Sequence, residues 1–493
     1  MRLAIALLAV LAPAGALPPQ DAPARSLEAL EAERNEKAVA VLLDFARRAE
    51  RGGLRSRAKE AYELLLTYDP ENRPARKALG FLKMAGEWRP MRNRPTFRDR
   101  APRAVRDALE EAWKRTALAL AAAHRDFGLA LLDRDRERGL AELRKALEFD
   151  PRDARAHEGL GHVGKDGFHL TADEALFVER LRSLESFAKA LRTRTFEVQA
   201  LPAASLPREL AATGLEFQGA RTAHFTIFAR GTQQEAAECA LWAERAREFL
   251  LRLLGEKRFA ELEVDRRLSF GHAAFVWGAG ERDQFLSANP KTWEGQDESN
   301  LRRFDDFFWE AGGRTNALVW TMPERIHDRI VGFVAYQGFL FGRNPGLGEG
   351  LLHACTWYLL GTTWTWYGSL PSTQASGDSL LQPDPDAWLA RLREQIRKGE
   401  DWPIAQIPRE PLTHYRPKVR VKSWSFMSWL LARHPERWLD FFLALSERKV
   451  LMPEQVEALG EDAFGAPLAE VEIEWRRWAA GEADVARASG HGR

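Results

Sequence analysis

Cysteine is almost absent from this sequence. The 493 residues include two cysteines, Cys239 and Cys355, which excludes a fold held together by a framework of disulfides. A chain of this length can hold two or three domains and buries a core large enough to fold without such a bridge. In an oxidising compartment the pair could form a single disulfide, but we favour the simpler hypothesis of two buried thiols on separate helices.

The sequence also lacks an excess of charge of either sign. Its 72 basic and 71 acidic residues give a net charge of +1. This balance provides no electrostatic attraction for nucleic acid or for an anionic membrane surface. After the N-terminal apolar stretch, no segment approaches the ~20 uncharged apolar residues that span a bilayer. The sequence therefore predicts neither a nucleic-acid partner nor a membrane span.

The motifs of several enzyme classes are missing. The sequence contains no G-x-S-x-G motif for a serine nucleophile and no Gly-rich loop that would cradle a phosphate. Cys355 lies in an apolar predicted helix, where a reactive thiolate is unfavourable. Serine or cysteine nucleophiles and phosphate chemistry are therefore not indicated.

The N-terminus has the pattern of a secretory signal peptide, which we assign to residues 1–16. Arg2 provides the positive charge, Leu3–Leu11 the apolar segment, and Ala14-Gly15-Ala16 the cleavage site. Residues 17–25 then form a Pro-containing linker. We expect an exported protein, periplasmic or extracellular, whose mature chain begins near Leu17.

An internal repeat follows the linker. The segment TYDPENRPARKALGFLKMAGEW, Thr67–Trp88, aligns without gaps with EFDPRDARAHEGLGHVGKDGFH, Glu148–His169. Each copy has an Asp-Pro break, then Ala-x-x-x-Leu-Gly, then a Gly- and aromatic-containing turn or small hairpin. The pattern resembles the tetratricopeptide repeat, with one unit at 26–92 and a second, including a connecting helix, at 93–200. Such units form either a protein-interaction surface or a rigid spacer, and the sequence leaves both open.

The second copy contains two histidines that invite a metal-site interpretation. His157 and His162 are five residues apart, and on a continuous helix this spacing separates their directions by ~140°. Two histidines that share a zinc ion lie four residues apart on a helix. We therefore expect His157 and His162 to be packing or solvent-facing residues that do not meet.

The character of the sequence changes after residue 215. Alternating residues predict strands, and a long amphipathic run predicts a helix between the first two of them. Two apolar helices follow, and the C-terminal part is again helical. The predicted elements are strand Ala223–Ala229, helix Gln233–Leu254, strand Leu268–Trp277, an edge strand at Asn316–Trp320, helices Pro323–Phe341 and Gly348–Leu360, and C-terminal helices Trp388–Ile396, Ser423–Ala432, Arg437–Leu445, Pro453–Leu459 and Leu468–Trp478.

This order of elements resembles the gluzincin metallopeptidases of the peptidase MA-like type. Three short segments contribute to the resemblance: a His-Phe-x-Ile strand at His224–Ile227, Glu349-Gly350 opening the second apolar helix, and Ala463–Gly465 followed by Glu472, Trp475 and Trp478. The resemblance covers about residues 217–480. It implies an HExxH zinc helix upstream of Glu349, in which two histidines bind the metal and a glutamate acts as base.

The zinc helix is degenerate. The best register is His327-Asp328-Arg329-Ile330-Val331, which places His327 before Glu349 at about the spacing that the family uses. The first histidine is present, Asp328 stands in place of the glutamate base, and Val331 replaces the second histidine. Asp328 and Glu349 also suit the first turn of a helix as acids favoured by the helix dipole.

The sequence thus predicts an α+β, mostly helical protein. A tetratricopeptide-like helical region precedes a gluzincin-like domain at 215–480, with a small sheet and a C-terminal helical subdomain, and 481–493 is a polar tail. We expect a catalytically inactive metallopeptidase-like domain that binds a protein or peptide and has no cofactor. The alternative is a divergent zinc hydrolase that uses His327, Glu349 and His353, the last two being one helical turn apart, with Asp328 as a vestigial base.

Overall fold

The computed structural model describes residues 25–93, 95–268, 273–277, 281–290, 308–311, 315–319, 326–339, 345–363, 385–409, 417–447, 451–481, 486 and 488. The predicted signal peptide, nearly all of the predicted linker and most of the predicted polar tail lie outside these residues. The chain divides into two compact units, Met1–Val163 and Gly164–Arg493. The described residues are mostly helical. Among them, no helix combines the length and apolar character that crossing a membrane requires.

The N-terminal unit is built from helices with one small hairpin, and a second hairpin begins where this unit ends. Its elements are α1 Leu27–Arg51, α2 Arg55–Tyr68, α3 Arg73–Ala78, β1 Phe81–Met84, β2 Glu87–Pro90, α4 Arg103–Leu131, α5 Arg136–Phe149 and α6 Ala154–Gly159. The second hairpin, β3 Val163–Lys165 and β4 Phe168–Leu170, starts at the last residue of this unit and belongs mainly to the C-terminal unit. The apolar periodicity of the sequence predicts helices at Glu36–Ala49, Arg57–Tyr68 and Arg73–Leu82, and the first two are confirmed within α1 and α2. The third helix is shorter than predicted, because Gly80 takes a positive φ of 83° and the chain then enters β1.

The internal repeat is confirmed in three dimensions. Helices α5 and α6 begin and end at the positions that the sequence alignment makes equivalent to the ends of α2 and α3. Asn72 accepts a hydrogen bond from the amide of Ala75 to cap α3, and Asp153 caps α6 in the same way through the amide of Ala156. The turn in each copy places a non-glycine residue, Ala85 or Asp166, at φ 51°. The local sequence therefore builds the same helix–helix–hairpin unit twice.

A buried polar network joins the two copies. Tyr68 of α2 and Glu142 of α5 contact opposite ring nitrogens of His124 in α4, at 2.7 Å from Nε2 and 2.6 Å from Nδ1. Because a carboxylate only accepts, Nδ1 of His124 donates to Glu142 and Nε2 accepts from the Tyr68 hydroxyl. Arg34 of α1 lies 3.6 Å from the same carboxylate. Four helices are thus linked through one imidazole.

The protonation of Glu142 should control the stability of this unit. Burial alone would raise the pKa of Glu142, but the hydrogen bond from His124 and the charge of Arg34 outweigh burial and lower it below the usual 4.5. A lowered pKa in the folded state means that the carboxylate stabilises the fold above about pH 4.5 and that this stability is lost as the pH falls through the folded-state pKa.

Glu142→Gln should therefore reduce the free energy of unfolding by about 1–3 kcal/mol at pH 7, and the difference from the parent chain should shrink below pH 4. Urea denaturation at pH 7 and pH 3.5 measures both values. Glu137→Gln, an exposed change on the same helix, is the control and should have little effect. An equal loss of stability at both pH values would contradict the assignment.

The C-terminal unit combines one sheet with a helical core. Its elements are α7 Ala172–Thr193, β5 Gln199–Leu201, α8 Arg208–Ala211, β6 Gln218–Arg221, β7 Thr226–Ala229, α9 Gln233–Glu261, α10 Val264–Leu268, β8 Ala273–Trp277, α11 Glu281–Ala288, β9 Phe308–Ala311, β10 Thr315–Val319, α12 Ile326–Phe339, α13 Pro345–Leu360, α14 Pro385–Lys398, α15 Pro417–Arg433, α16 Trp438–Ser446, α17 Pro453–Phe464 and α18 Leu468–Ala480. Each predicted strand and helix of this region has an observed counterpart, with shifted ends.

The sheet has the strand order β5-β6-β7-β8-β10-β9. Strands β7, β8 and β10 are parallel to one another, and the remaining neighbours are antiparallel. The prediction of an edge strand at Asn316–Trp320 was wrong, because β10 pairs with β8 on one side and with β9 on the other. A single sequence window does not show which strands pair with its two edges, and β9 gave no recognised signal.

The helical core forms around α13 and α15. Gly350 of α13 lies against the backbone of Ser423 in α15, where an added Cβ would come within 2.5 Å of the Ser423 carbonyl oxygen. The two helices can approach this closely because the residue is glycine. Cys239 of α9 and Cys355 of α13 are both buried, free thiols in this structure, and burial raises their pKa values. Their arrangement agrees with the hypothesis of separate thiols.

Candidate functional site

His327 lies in the first turn of α12 and faces α9. Its Nε2 atom is 3.6 Å from a carboxylate oxygen of Glu238, and its ring centroid is 5.2 Å from that of Trp242. Burial lowers the pKa of His327, although the negative charge of Glu238 opposes this shift. The ring is therefore a neutral imidazole near pH 7, seated between an acid and an indole of one neighbouring helix.

Two further residues of the predicted zinc motif, Asp328 and Val331, are buried. Val331, at the position of the second histidine ligand, is fully buried in the main hydrophobic core. Asp328 is also buried, in the first turn of α12, a position at which the helix dipole favours an acid. At the position where the family motif has its second zinc ligand, α12 therefore presents an apolar side chain that packs in the core.

Glu349 and His353 form a buried pair on α13. They are 2% and 1% exposed, and Nε2 of His353 lies 3.1 Å from Oε2 of Glu349. The predicted placement of these residues one helical turn apart is confirmed. Nδ1 of His353 hydrogen-bonds the backbone carbonyl of Thr363. Because a carbonyl oxygen only accepts, this bond fixes the imidazole proton on Nδ1.

The proton on Nδ1 of His353 leaves its Nε2 atom without a hydrogen to donate to Glu349. Burial lowers the pKa of His353 against the opposing attraction of Glu349, so the neutral ring presents a bare Nε2 to the carboxylate. Among the described residues, neither oxygen of Glu349 nor Nε2 of His353 has a hydrogen-bond partner, since their short contact lacks hydrogen-bond geometry. Two acceptors at this distance repel unless a proton or a cation lies between them.

Further polar atoms near the pair also lack partners. The hydroxyl groups of Thr363 and Ser423 and the indole N–H of Trp424 are buried without a hydrogen bond to any residue that the structure describes. We call Glu349, His353, Thr363 and Ser423 the buried polar cluster. Such a cluster is costly in a folded core, since each unsatisfied group loses its hydration without compensation. Clusters of this kind mark sites where a ligand, an ion or water completes the hydrogen bonding.

Tryptophans form one wall of the buried polar cluster. The ring of Trp388 meets His353 edge-on with centroids 5.0 Å apart, and Trp424 lies 5.6 Å beyond it. Four aromatic residues that follow Glu349, namely Tyr358, Trp364, Trp366 and Tyr367, suit either a cleft or the core by their sequence. Tyr358 is buried, with its hydroxyl donating to the carbonyl of Ser428 at 3.0 Å, and the other three lie outside the described residues.

The structure brings together two of the three predicted metal ligands. Glu349 and His353 are paired with each other, whereas His327 contacts Glu238. Within the described part of the chain, no group of three or more His, Cys, Asp or Glu side chains is arranged to hold a metal ion. A catalytic zinc site has three protein ligands and an open position. The described residues therefore do not fit a zinc centre of this kind.

The expectation that His157 and His162 point apart was wrong. Helix α6 ends at Gly159, so His162 is not on the helix, and the two Nδ1 atoms are 2.7 Å apart. His157 also donates through Nε2 to the carbonyl of Pro151 at 2.9 Å. In the first copy of the repeat the equivalent Arg76 lies over the ring of Phe81 and donates to the carbonyl of Pro70. The contact between His157 and His162 therefore corresponds to the structural contact between Arg76 and Phe81 in the first copy.

A buried ion network beside the cluster had no recognisable signal in the sequence. Lys422 of α15 is fully buried, contacts Glu472 and lies 2.7 Å from Asp401. Arg476 contacts the same two carboxylates at 2.9 and 3.0 Å. Two cations thus balance two anions. Glu472, which matched a family segment, serves here to hold α18 against α15.

Comparison of the chain with family models, curated proteins and solved structures gives no match. Its function is therefore inferred from the geometry of the described residues.

The two buried glutamates should respond in opposite ways to loss of charge. Glu349→Gln replaces an unpartnered carboxyl oxygen with an amide that can donate toward Nε2 of His353, so it should raise the free energy of unfolding by about 1–3 kcal/mol. Glu472→Gln, the matched control, breaks a satisfied ion network and should lower it by about 3 kcal/mol. Urea denaturation at pH 7 measures both. Destabilisation by both variants would show that Glu349 is an ordinary structural residue.

Proposed function

We propose that this chain is an exported binding protein whose metallopeptidase-like region does not hydrolyse peptides. The observation that carries the proposal is the position of Val331: the second zinc ligand of the family motif is replaced by a valine that packs in the core. His327 contacts Glu238 and Trp242, and so it is not held beside Glu349. A gluzincin-like ancestry explains the order of elements, and the loss of ligands explains the packing of α12.

Zinc content and peptide cleavage test this proposal. The purified chain, incubated with zinc and then desalted, should retain far less than one zinc ion per molecule, because two ligands bind zinc weakly compared with three. Elemental analysis measures the content, and a fluorogenic peptide library measures cleavage. Glu349→Ala should change neither result. Stoichiometric zinc together with cleavage that Glu349→Ala abolishes would overturn the proposal.

The repeat region supplies the surface on which we propose that a protein or peptide binds. Leu82 in β1 and Val163 in β3 occupy equivalent positions of the two copies and are 46% and 44% exposed. Met84, two residues after Leu82 on the same strand, is also exposed. Exposed apolar residues that recur in a repeat suit the recognition of a partner rather than the stability of the free chain.

Peptides selected by phage display on the purified chain should therefore depend on the hairpins. The double variant Leu82→Glu, Val163→Glu should weaken binding by about tenfold or more, because it places charge at an apolar contact. Leu118→Glu, which changes an equally exposed leucine of α4, is the control and should bind as the parent chain does. Unchanged binding to the double variant would contradict a role for the hairpins.

The buried polar cluster favours a second candidate function, a divergent hydrolase. The observation behind it is the facing pair of Glu349 and His353, whose bare acceptor atoms suit a shared proton or cation. Glu349 would then act as the acid or base and His353 as its partner, with Asp328 and His327 outside the reaction. Activity without bound zinc that disappears in Glu349→Gln would favour this candidate over the binding protein.

A further inference from the structure

A cleft of about 380 Å³ lies in the C-terminal unit, formed by α7, α9 and the end of α15 with the residues that follow it. Its volume is at the lower end of the range of about 300–1,000 Å³ that is usual for small-molecule sites. The cleft is open to solvent, and no residue of the buried polar cluster lines it. It is therefore a separate feature of the fold.

Two arginines in this cleft lack an acidic partner. Arg180 of α7 makes no hydrogen bond or ion pair with any described residue, and Arg252 of α9 donates only to the hydroxyl of Ser183, at 3.3 Å. Ser183 is three residues from Arg180 on α7, and such residues lie about 5–6 Å apart on one helix face. Both arginines line the same cleft, and neither forms an ion pair with a described carboxylate.

Further arginines lie near His434, which precedes the lining residue Pro435, and one of them, Arg433, is paired with Glu474 at 2.6 Å. Burial, together with the charges of Arg433, Arg437 and Arg180, lowers the pKa of His434 to about 4. Two acids also line the cleft: Glu179 is 4.0 Å from Lys165, and Glu436 is exposed. Neither acid lies within ion-pair distance of Arg180 or Arg252. An anion can therefore approach the guanidinium groups without displacing an existing ion pair.

The other lining residues are apolar. Leu184, Leu431 and Ala432 are buried beneath the cleft, whereas Leu176 is 44% exposed at its side. An exposed leucine beside two unpaired guanidinium groups matches a ligand that has an anionic end and an apolar body. Carboxylate is the planar anion that a guanidinium group recognises through two parallel hydrogen bonds.

We propose that this cleft binds a carboxylate carried on an apolar chain, with Arg180 and Arg252 holding the carboxylate and Leu176 contacting the apolar part. The same chemistry is present in the C-terminus of a peptide that ends in apolar residues and in a fatty acid. The proposal does not depend on the repeat surface or on Glu349, so its failure would leave the proposed function unaffected.

The test uses calorimetric titration of the purified chain with three probes: N-acetyl-Ala-Leu-Leu with a free carboxyl terminus, the same peptide as its C-terminal amide, and octanoate. The free acid should bind about tenfold or more tightly than the amide, since only the acid offers an anion to the arginines. Tighter binding of octanoate than of the peptide acid would identify a fatty acid as the source of the carboxylate.

Variants locate the binding. Arg180→Gln and Arg252→Gln should each weaken binding of the preferred acid by about tenfold, and Arg180→Lys should lose less because it keeps the charge without the planar fork. Arg208→Gln removes an exposed arginine of the same unit outside the cleft and should bind as the parent chain does. Equal affinity for acid and amide, or full affinity in Arg180→Gln with an unchanged circular dichroism spectrum, would overturn the proposal.

Discussion

The close contact between α13 and α15 determines the surroundings of the candidate site. It depends on Gly350, because any Cβ at that position would collide with the backbone of Ser423. Gly346, one turn earlier, allows the same close approach to the carbonyl of Ile407. Since Glu349 is the neighbour of Gly350, the contact that packs the two helices also removes this carboxylate from water. The site's electrostatics therefore follow from helix packing.

Two buried glutamates in this region differ in whether they have charged partners. Glu472 shares Lys422 and Arg476 with Asp401, so its burial is balanced by opposite charge and hydrogen bonds. Within the described part of the chain, the polar group next to Glu349 is the bare Nε2 atom of His353, at 3.1 Å, and the two do not form a hydrogen bond. A fold does not gain stability from an unpartnered buried carboxylate. This contrast is why we assign a structural role to Glu472, and it is why the cluster around Glu349 underlies the second candidate function.

Sequence patterns predicted local features better than features that depend on distant parts of the chain. The repeat was predicted because its signals are local: an Asp-Pro break, a capping Asn or Asp, and glycines at positions of positive φ. The expected divergence of His157 and His162 failed because helix α6 stops at Gly159, and a rotation of about 100° per residue applies only while the helix continues. The position of β10 within the sheet failed because strand pairing is a long-range property.

The sequence alone determined the paired helical units, the order of strands and helices after residue 215, and the absence of a second histidine at Val331. These features depend on residue identity and on spacing within one or two turns. Only the tertiary structure decided that His327 faces Glu238, that Glu349 and His353 are buried with their acceptor atoms facing each other, and that Arg180 and Arg252 line one cleft. Each of these depends on which helices pack together, and packing brings into contact residues that are far apart in the chain.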